Sequence, residues 1–437
     1  MISPSLKGPV TLSLFNKNCI LSGSIIVQFL LNESYNGDID VYLTQSEYHN
    51  FKDFLQFPDF NRKDLLFAPQ PPHPHAFLES GHQILERIQE RDVFLHFPYQ
   101  KFDYIIDVLR EAAIDPLVTE IKINVYRLAP DSQIMRALIA AIYNRKQVVV
   151  VMELQARFDE ENNLQWSNQL KEHGAKVIYG APNLKVHSKL LYIKRQDKGK
   201  DLSIAYVGTG NFNERTSRIY TDFALLTAEK RVVTEVGKVF KLLENNMERV
   251  SFRHLMVSPI NYRRKIVQLI DKEIALAKAK KPALIRIKLN NLTDRQMIEK
   301  LLEASMAGVH VEMIVRGICC LKTDLKKNPN LTVISIVDRY LEHARCMVFG
   351  NNGNPLFYIG SADLMERNLD YRIEVATPIF DPSIQAEITE IFDFQWRGTV
   401  KSRWITSDMK NEYRRTEGPP FHAQRNLYAK YTPEENN

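Results

Sequence analysis

The chain has 437 residues, 44% hydrophobic and 25% charged, which excludes a wholly disordered or fibrous protein and leaves room for two or three domains with substantial cores. Its 58 Lys+Arg against 52 Asp+Glu give a net charge of +6, suited to an anionic partner without choosing among DNA, acidic lipid, nucleotide and inorganic phosphate. Cys19, Cys319, Cys320 and Cys346 show no metal-ligand spacing, and the adjacent pair is awkward for a disulfide framework, so a cytoplasmic location is expected.

Along the chain, the apolar stretch 19–31 contains Ser22, Ser24 and Gln28 and falls short of the roughly 20 apolar residues of a membrane span. Neither a span nor a signal peptide is expected, although a basic chain suits loose association with the inner membrane face. Residues 1–73 read as irregular and end in the rigid linker signal Pro69-Gln70-Pro71-Pro72-His73-Pro74. From Phe77 onward β-branched runs alternate with amphipathic stretches: a strand over 120–126, a helix over 133–144 and a strand over 147–153. The same order returns with a strand over 284–289, a helix over 294–307 and a strand over 309–315. Setting Gln133 on Gln296 superposes the two units without a gap at a shift of 163 residues. The fold class expected is α/β, two tandem duplicated domains over 74–254 and 255–437, with a largely buried sheet in each. Arg127, Arg157 and Arg316 follow strand-like runs at the edge where ligands of such sheets gather, and guanidinium forks there suit phosphate.

The duplication extends to the chemistry. Val186-His187-Ser188-Lys189 is followed, 21 residues after the histidine, by Gly208-Thr209-Gly210-Asn211, and Glu342-His343-Ala344-Arg345 is followed after 17 residues by Gly360-Ser361-Ala362-Asp363. On a strand, His187 would share its face with Lys189, and His343 with Arg345. A neutral imidazole is a competent nucleophile toward phosphorus, the neighbouring cation would stabilise charge on the oxygens, and the small-residue turn could present backbone N–H groups to them. A lone His-x-Lys would be unremarkable, so the duplication carries the reading. Each histidine also needs a carboxylate to fix its tautomer. Asp222 is the candidate in the first half, and Glu374, ahead of Asp370, in the second.

These paired units resemble the phospholipase D superfamily, although the acid usual five residues after the lysine is replaced here by Lys194. The closer resemblance is to its kinase branch, the polyphosphate kinases with a phosphohistidine intermediate. It is carried by Asp92-Val93-Phe94-Leu95-His96-Phe97-Pro98-Tyr99, Asn124-Val125-Tyr126-Arg127, Glu153-Leu154-Gln155-Ala156-Arg157-Phe158-Asp159, Tyr220-Thr221-Asp222, Val315-Arg316-Gly317 and the two histidine motifs.

The resemblance implies a transferase that takes its phosphate from ATP, with ADP as product, and adds it to inorganic polyphosphate. It further implies Mg²⁺ as cofactor and no nucleic acid partner. His187 would carry the phosphate, and His343 would assist the departing oxygen and contact nucleotide. Tyr220 and Arg316 correspond to ATP-binding positions, while Lys189, Arg345 and Asn211 would face phosphate. Arg127 and Arg157 match positions the family associates with magnesium; since arginine cannot ligate a cation, they would hold phosphate oxygens that the metal also bridges. Family members begin with a helical domain that helps hold the adenine and a helical head domain implicated in dimerisation. The first has no counterpart here and the second is expected as a remnant over roughly 25–73, which would weaken a homo-oligomer. Two other readings stay open: a non-catalytic polyphosphate-binding paralogue and a phospholipase D-type phosphodiesterase.

Overall fold

The computed structural model describes residues 62–78, 83–153, 160–180, 184–245, 250–323, 328–408, 410–415 and 417–432, with the short strands Cys19–Ile20 and Tyr42–Leu43. The chain divides into two compact units, Met1–Pro69 and Gln70–Asn437. In the first, Cys19–Ile20 pairs antiparallel with Tyr42–Leu43, and a 3-10 turn spans Lys63–Leu65. The rest of the expected head-domain remnant lies outside the described residues.

The second unit holds both repeats. In the first repeat the strands Val118–Val125, Gln147–Met152 and Lys176–Tyr179 run parallel, and Leu190–Asp197, Ile204–Gly208 and Tyr220–Thr227 continue the sheet antiparallel. In the second, Leu284–Leu289, His310–Val315 and Leu331–Ile336 form the parallel trio, and Cys346–Phe349, Leu356–Gly360 and Val375–Ile379 the antiparallel side. The valine- and isoleucine-rich central strands are buried along nearly their whole length, as sheets covered on both faces require. The helices start where small polar caps occur: Ser132 accepts from the amide of Met135 ahead of Gln133–Tyr143, and Asp294 from Met297 ahead of Arg295–Met306.

The ungapped shift of 163 does not survive. Val148 corresponds to Val311 at 163 and Ile193 to Phe349 at 156, yet the strand between them matches Ile121 to Ile285, a shift of 164. The cap residues Ser132 and Asp294 differ by 162. A one-residue slip in a strand exchanges its two faces. At 163 the core residue Ile123 would fall on Arg286, which is ion-paired to Glu312 at 2.7 Å.

Each repeat has its own core, around Ile105, Ile121, Leu138 and Val150 in one and Ile270, Ile287, Leu301 and Met313 in the other. Two further clusters belong to both. Phe94, Tyr99 and Phe223 pack with Ile314, Ile384 and Phe392, and Val186, Leu190 and Phe240 pack with Ile373 and Val375. The backbone crosses as well: Tyr220 and Thr221 pair parallel with Leu341 and Glu342, and Arg372 and Ile373 pair parallel with Lys185 and Val186. In both ladders the strand leading into a histidine of one repeat lies against a carboxylate-bearing segment of the other.

Candidate active site

Both histidines sit at these crossings. His187 follows the two-residue strand Lys185–Val186, and His343 follows Leu341–Glu342. Contrary to the expectation of a continuous strand, 187–189 and 343–345 are irregular, because each segment must leave the small inter-repeat ladder before joining its own sheet at Leu190 or Cys346. The cations therefore do not simply share a strand face with the histidines. Lys189 Nζ turns back to the carbonyl oxygen of His187, and Arg345 Nη1 donates to that of His343 at 3.0 Å.

The carboxylates are exchanged relative to the expectation from sequence. His187 Nδ1 bonds the Glu374 carboxylate at 2.9 Å, and His343 Nδ1 bonds Asp222 Oδ1 at 2.8 Å. Each imidazole takes its partner from the other repeat, as the parallel crossings dictate. Asp370 is engaged elsewhere, in the ion pair with Arg263. The small-residue turns also differ in role from the expectation. The amides of Thr209 and Ser361 are used by the carbonyls of Phe223 and Val375, at 2.9 and 3.1 Å. Their hydroxyls donate to the acids, Thr209 to Asp222 and Ser361 to Glu374. Asn368 Nδ2 adds a further bond to Glu374 at 2.6 Å.

The site is nearly dry, each imidazole being 13% exposed. Burial drives His187 down to about 3, with the cation of Lys189 adding to it and Glu374 opposing; burial likewise lowers His343. Burial alone would raise the acids, but the imidazoles and hydroxyls paired with them keep Asp222 and Glu374 below the ordinary carboxylate range. The stable arrangement is a neutral imidazole donating Nδ1–H to a carboxylate, with the Nε2 lone pair left for chemistry. Burial also brings the Lys189 ammonium to about 7.

The two cations are balanced differently. Arg345 Nε donates to Asp363 at 2.9 Å, and that acid also accepts from the amide of Asn290 and the side chain of Asn291. The matching position in the first repeat is Asn211, which is neutral, so Lys189 has no acid from its own turn. Asn211 Oδ1 is buried with no hydrogen-bond partner among the described residues.

Around His343, the Tyr220 ring lies 5.5 Å from the imidazole, and Arg316 donates through Nε to Asn290 Oδ1. Burial, and then the neighbouring Arg345, lowers the Arg316 guanidinium. Around His187, the Tyr126 ring stands edge-on at 4.9 Å, with the Arg127 guanidinium 5.8 Å and Lys189 Nζ 5.5 Å from that ring. Arg157 lies outside the described residues. Sequence reading missed Tyr126, Asn124, Asn290 and Asn368. Asn124 Nδ2 donates to the carbonyl of Ser188, and Asn290 Nδ2 to that of His343 at 3.1 Å. The signal available was an asparagine at or just past the carboxyl end of the first strand in both repeats.

Among the described residues no group of three or more His, Cys, Asp or Glu could hold a metal ion. Asp222, Glu374 and Asp363 are each committed to a histidine or an arginine. No helix among those residues is long and apolar enough to cross a membrane.

Residues 83–249 match the polyphosphate kinase C-terminal domain 1 family, and residues 255–424 match its C-terminal domain 2. Polyphosphate kinase of Vibrio parahaemolyticus is 48% identical over 89% of this chain and 56% of its own length. That of Escherichia coli K12 is 46% identical over 86% and 55%. The chain thus spans a little over half the length of the curated relatives it matches. The crystal structure of polyphosphate kinase from Porphyromonas gingivalis superposes with a TM-score of 0.81 at 38% identity, over 88% of this chain and 59% of that one. With two family domains in tandem and the same fold, the chain belongs to the polyphosphate kinase family.

Proposed function

We propose that this chain carries out reversible transfer of the terminal phosphate of ATP to inorganic polyphosphate through a phosphohistidine on His187. The single observation that carries the reading is the buried neutral imidazole whose Nδ1 is held by Glu374 at 2.9 Å, which makes Nε2 the nucleophile. Nε2 attacks the γ-phosphorus, an N–P bond forms, and the bond to the bridging oxygen breaks as ADP leaves. The terminal oxygen of polyphosphate then attacks the same phosphorus and returns the lone pair to Nε2. His343, held by Asp222, faces the departing oxygen and carries a proton at Nε2 once the polyanion has raised its basicity. Arg345, Arg316 and Arg127 supply fixed positive charge for the equatorial oxygens, and Lys189 adds its own once the phosphate anion holds it protonated, with Arg157 and Tyr220 completing the nucleotide side.

Among the described residues Mg²⁺ does not fit a site built from acids, since the buried carboxylates beside the histidines are already committed. It belongs to the nucleotide, whose phosphate charge it neutralises.

The test is incubation with γ-labelled ATP and Mg²⁺, a base quench, and a chase with polyphosphate. Label on His187 that chases into polymer is expected, and His187→Ala should carry none. Labelled phosphohistidine in that variant would refute the assignment. Polyphosphate binding with no label in the wild type would favour the non-catalytic reading.

A further inference from the structure

Glu342, the residue before His343, has no part in the chemistry above, yet it is 2% exposed and ionisable. Its carboxylate gathers donors from four separate elements: Thr221 Oγ1 at 3.0 Å, Lys288 Nζ at 3.0 Å, Gln395 Nε2 at 2.9 Å and Gln424 Nε2 at 2.6 Å. Three of these donors also hold the main chain around the histidine, and Lys288 does so on its far side. Lys288 Nζ also holds the carbonyl of Ala344 at 3.1 Å. Gln424 also brackets Tyr340, accepting from its amide at 2.9 Å and donating to its carbonyl at 2.8 Å. Thr221, next to Asp222, takes the His343 amide on its side-chain and main-chain oxygens, both at 3.2 Å.

The first repeat solves the same problem differently, with a carboxylate on the main chain: Glu153 Oε2 accepts from the Val186 amide at 3.1 Å. The residue before His187 is Val186, buried in an apolar cluster. At the 164 shift Lys288 corresponds to Asn124, which holds the carbonyl of Ser188 as Lys288 holds that of Ala344. A buried ion pair in place of a Val and Asn combination is not expected to gain stability by itself. What it adds is a fixed link from the second repeat to Thr221 of the first.

We infer that Glu342 is a positioning residue for His343: through Thr221 it sets the spacing between Asp222 and the imidazole across the repeat boundary, and through Gln395 and Gln424 it ties that spacing to the two C-terminal helices, Pro382–Arg397 and Ala423–Tyr431. The inference rests on the kinase reading for its consequence, but not for its test.

The variants are Glu342→Gln, which keeps shape and removes charge, and the double variant Glu342→Val with Lys288→Asn, which installs the first repeat's residues at these two positions and leaves no orphan cation. Each is prepared with ¹⁵N-histidine, and the ring nitrogens of His343 are followed by NMR in the full chain. The wild type should show a single neutral tautomer protonated at Nδ1; the variants should shift toward a mixture, with kcat down by about 10–100-fold and KM for polyphosphate within twofold. Unchanged His343 ring shifts in a folded variant overturn the inference, whatever the activity. Altered shifts in a chain whose wild type makes no phosphoenzyme would uphold it and sink the kinase reading instead. If Glu342→Gln does not fold, the double variant decides alone.

Discussion

Exchanging Glu374 for Gln tests the crossed pairing directly. The native carboxylate accepts from His187 Nδ1 at 2.9 Å, from Asn368 Nδ2 at 2.6 Å and from the Ser361 hydroxyl, and it lies 4.0 Å from Arg372. A glutamine has one acceptor oxygen and must present its NH₂ to one of these donors. If the amide nitrogen meets the imidazole, the ring takes the opposite tautomer and the proton moves onto Nε2, where the nucleophilic lone pair should be. A wrong tautomer in a comparable carboxylate–histidine pair costs on the order of 10³–10⁴-fold, about 4–5.5 kcal/mol of barrier. The cleanest assay uses phosphoramidate as donor, because its ammonia leaves without help from the nucleotide side, and follows His187 phosphorylation by quenched flow. Glu374→Gln should lose the full factor, although the residue is 187 positions from the histidine it serves. Asp222→Asn, whose partner is His343, should change the rate by roughly twofold. The reverse ranking would refute the crossed assignment. Near-UV circular dichroism must show both variants folded.

Three further outcomes follow from the same geometry. A Cβ on Gly210 would stand 2.1 Å from Asp222 Oδ2 and 2.3 Å from its Cγ, so Gly210→Ala should push the acid off His343 and lower kcat on the order of 10²-fold, measured as steady-state polymer synthesis. Asn211→Asp would place an acid where Asp363 balances Arg345 in the other repeat, and KM for ATP and polyphosphate should rise roughly tenfold, about 1.4 kcal/mol; an unchanged KM would mean that the neutral residue does not matter. For pH, both histidines have folded values below the ordinary 6.5, His187 at about 3, so the unfolded chain binds the extra protons as pH falls. The stability they contribute is complete above 6.5 and declines as pH falls below it, for His187 down to about 3, by up to about 1.4 kcal/mol per pH unit for each group. Urea midpoints at pH 7.5 and 5.5 should show this, and His187→Ala should reduce the difference.

Much of this was legible in the residues. The repeated His-x-cation motif, the strand–helix–strand unit of each repeat and the acids Asp222 and Glu374 were visible as pattern, whereas the third parallel strands, Lys176–Tyr179 and Leu331–Ile336, were not. What pattern could not supply was which acid serves which histidine, because that depends on two short inter-repeat ladders, Tyr220–Thr221 with Leu341–Glu342 and Arg372–Ile373 with Lys185–Val186. Those segments have no strand signature of their own and exist only when both repeats are folded. The one-residue slip around Ile121 and Ile285 was hidden for a related reason: similarity along a line does not report which face a side chain takes. The hydroxyls of Thr209 and Ser361 were noticed as small turn residues, but their use on the acids depends on where the neighbouring strand ends.

The crossed pairs also constrain ancestry. A single repeat by itself possesses a histidine without its acid and an acid without its histidine, so no half of this chain could have been a competent catalyst alone. The simplest ancestor with working chemistry is two identical short chains related by a twofold axis, each completing the other's imidazole. Fusion of the two genes would have preserved both pairs at once and released them from identity. Lysine could then diverge from arginine at 189 and 345, and asparagine from aspartate at 211 and 363, until one imidazole stood beside a cation with no acid from its own turn and the other beside a cation paired with one.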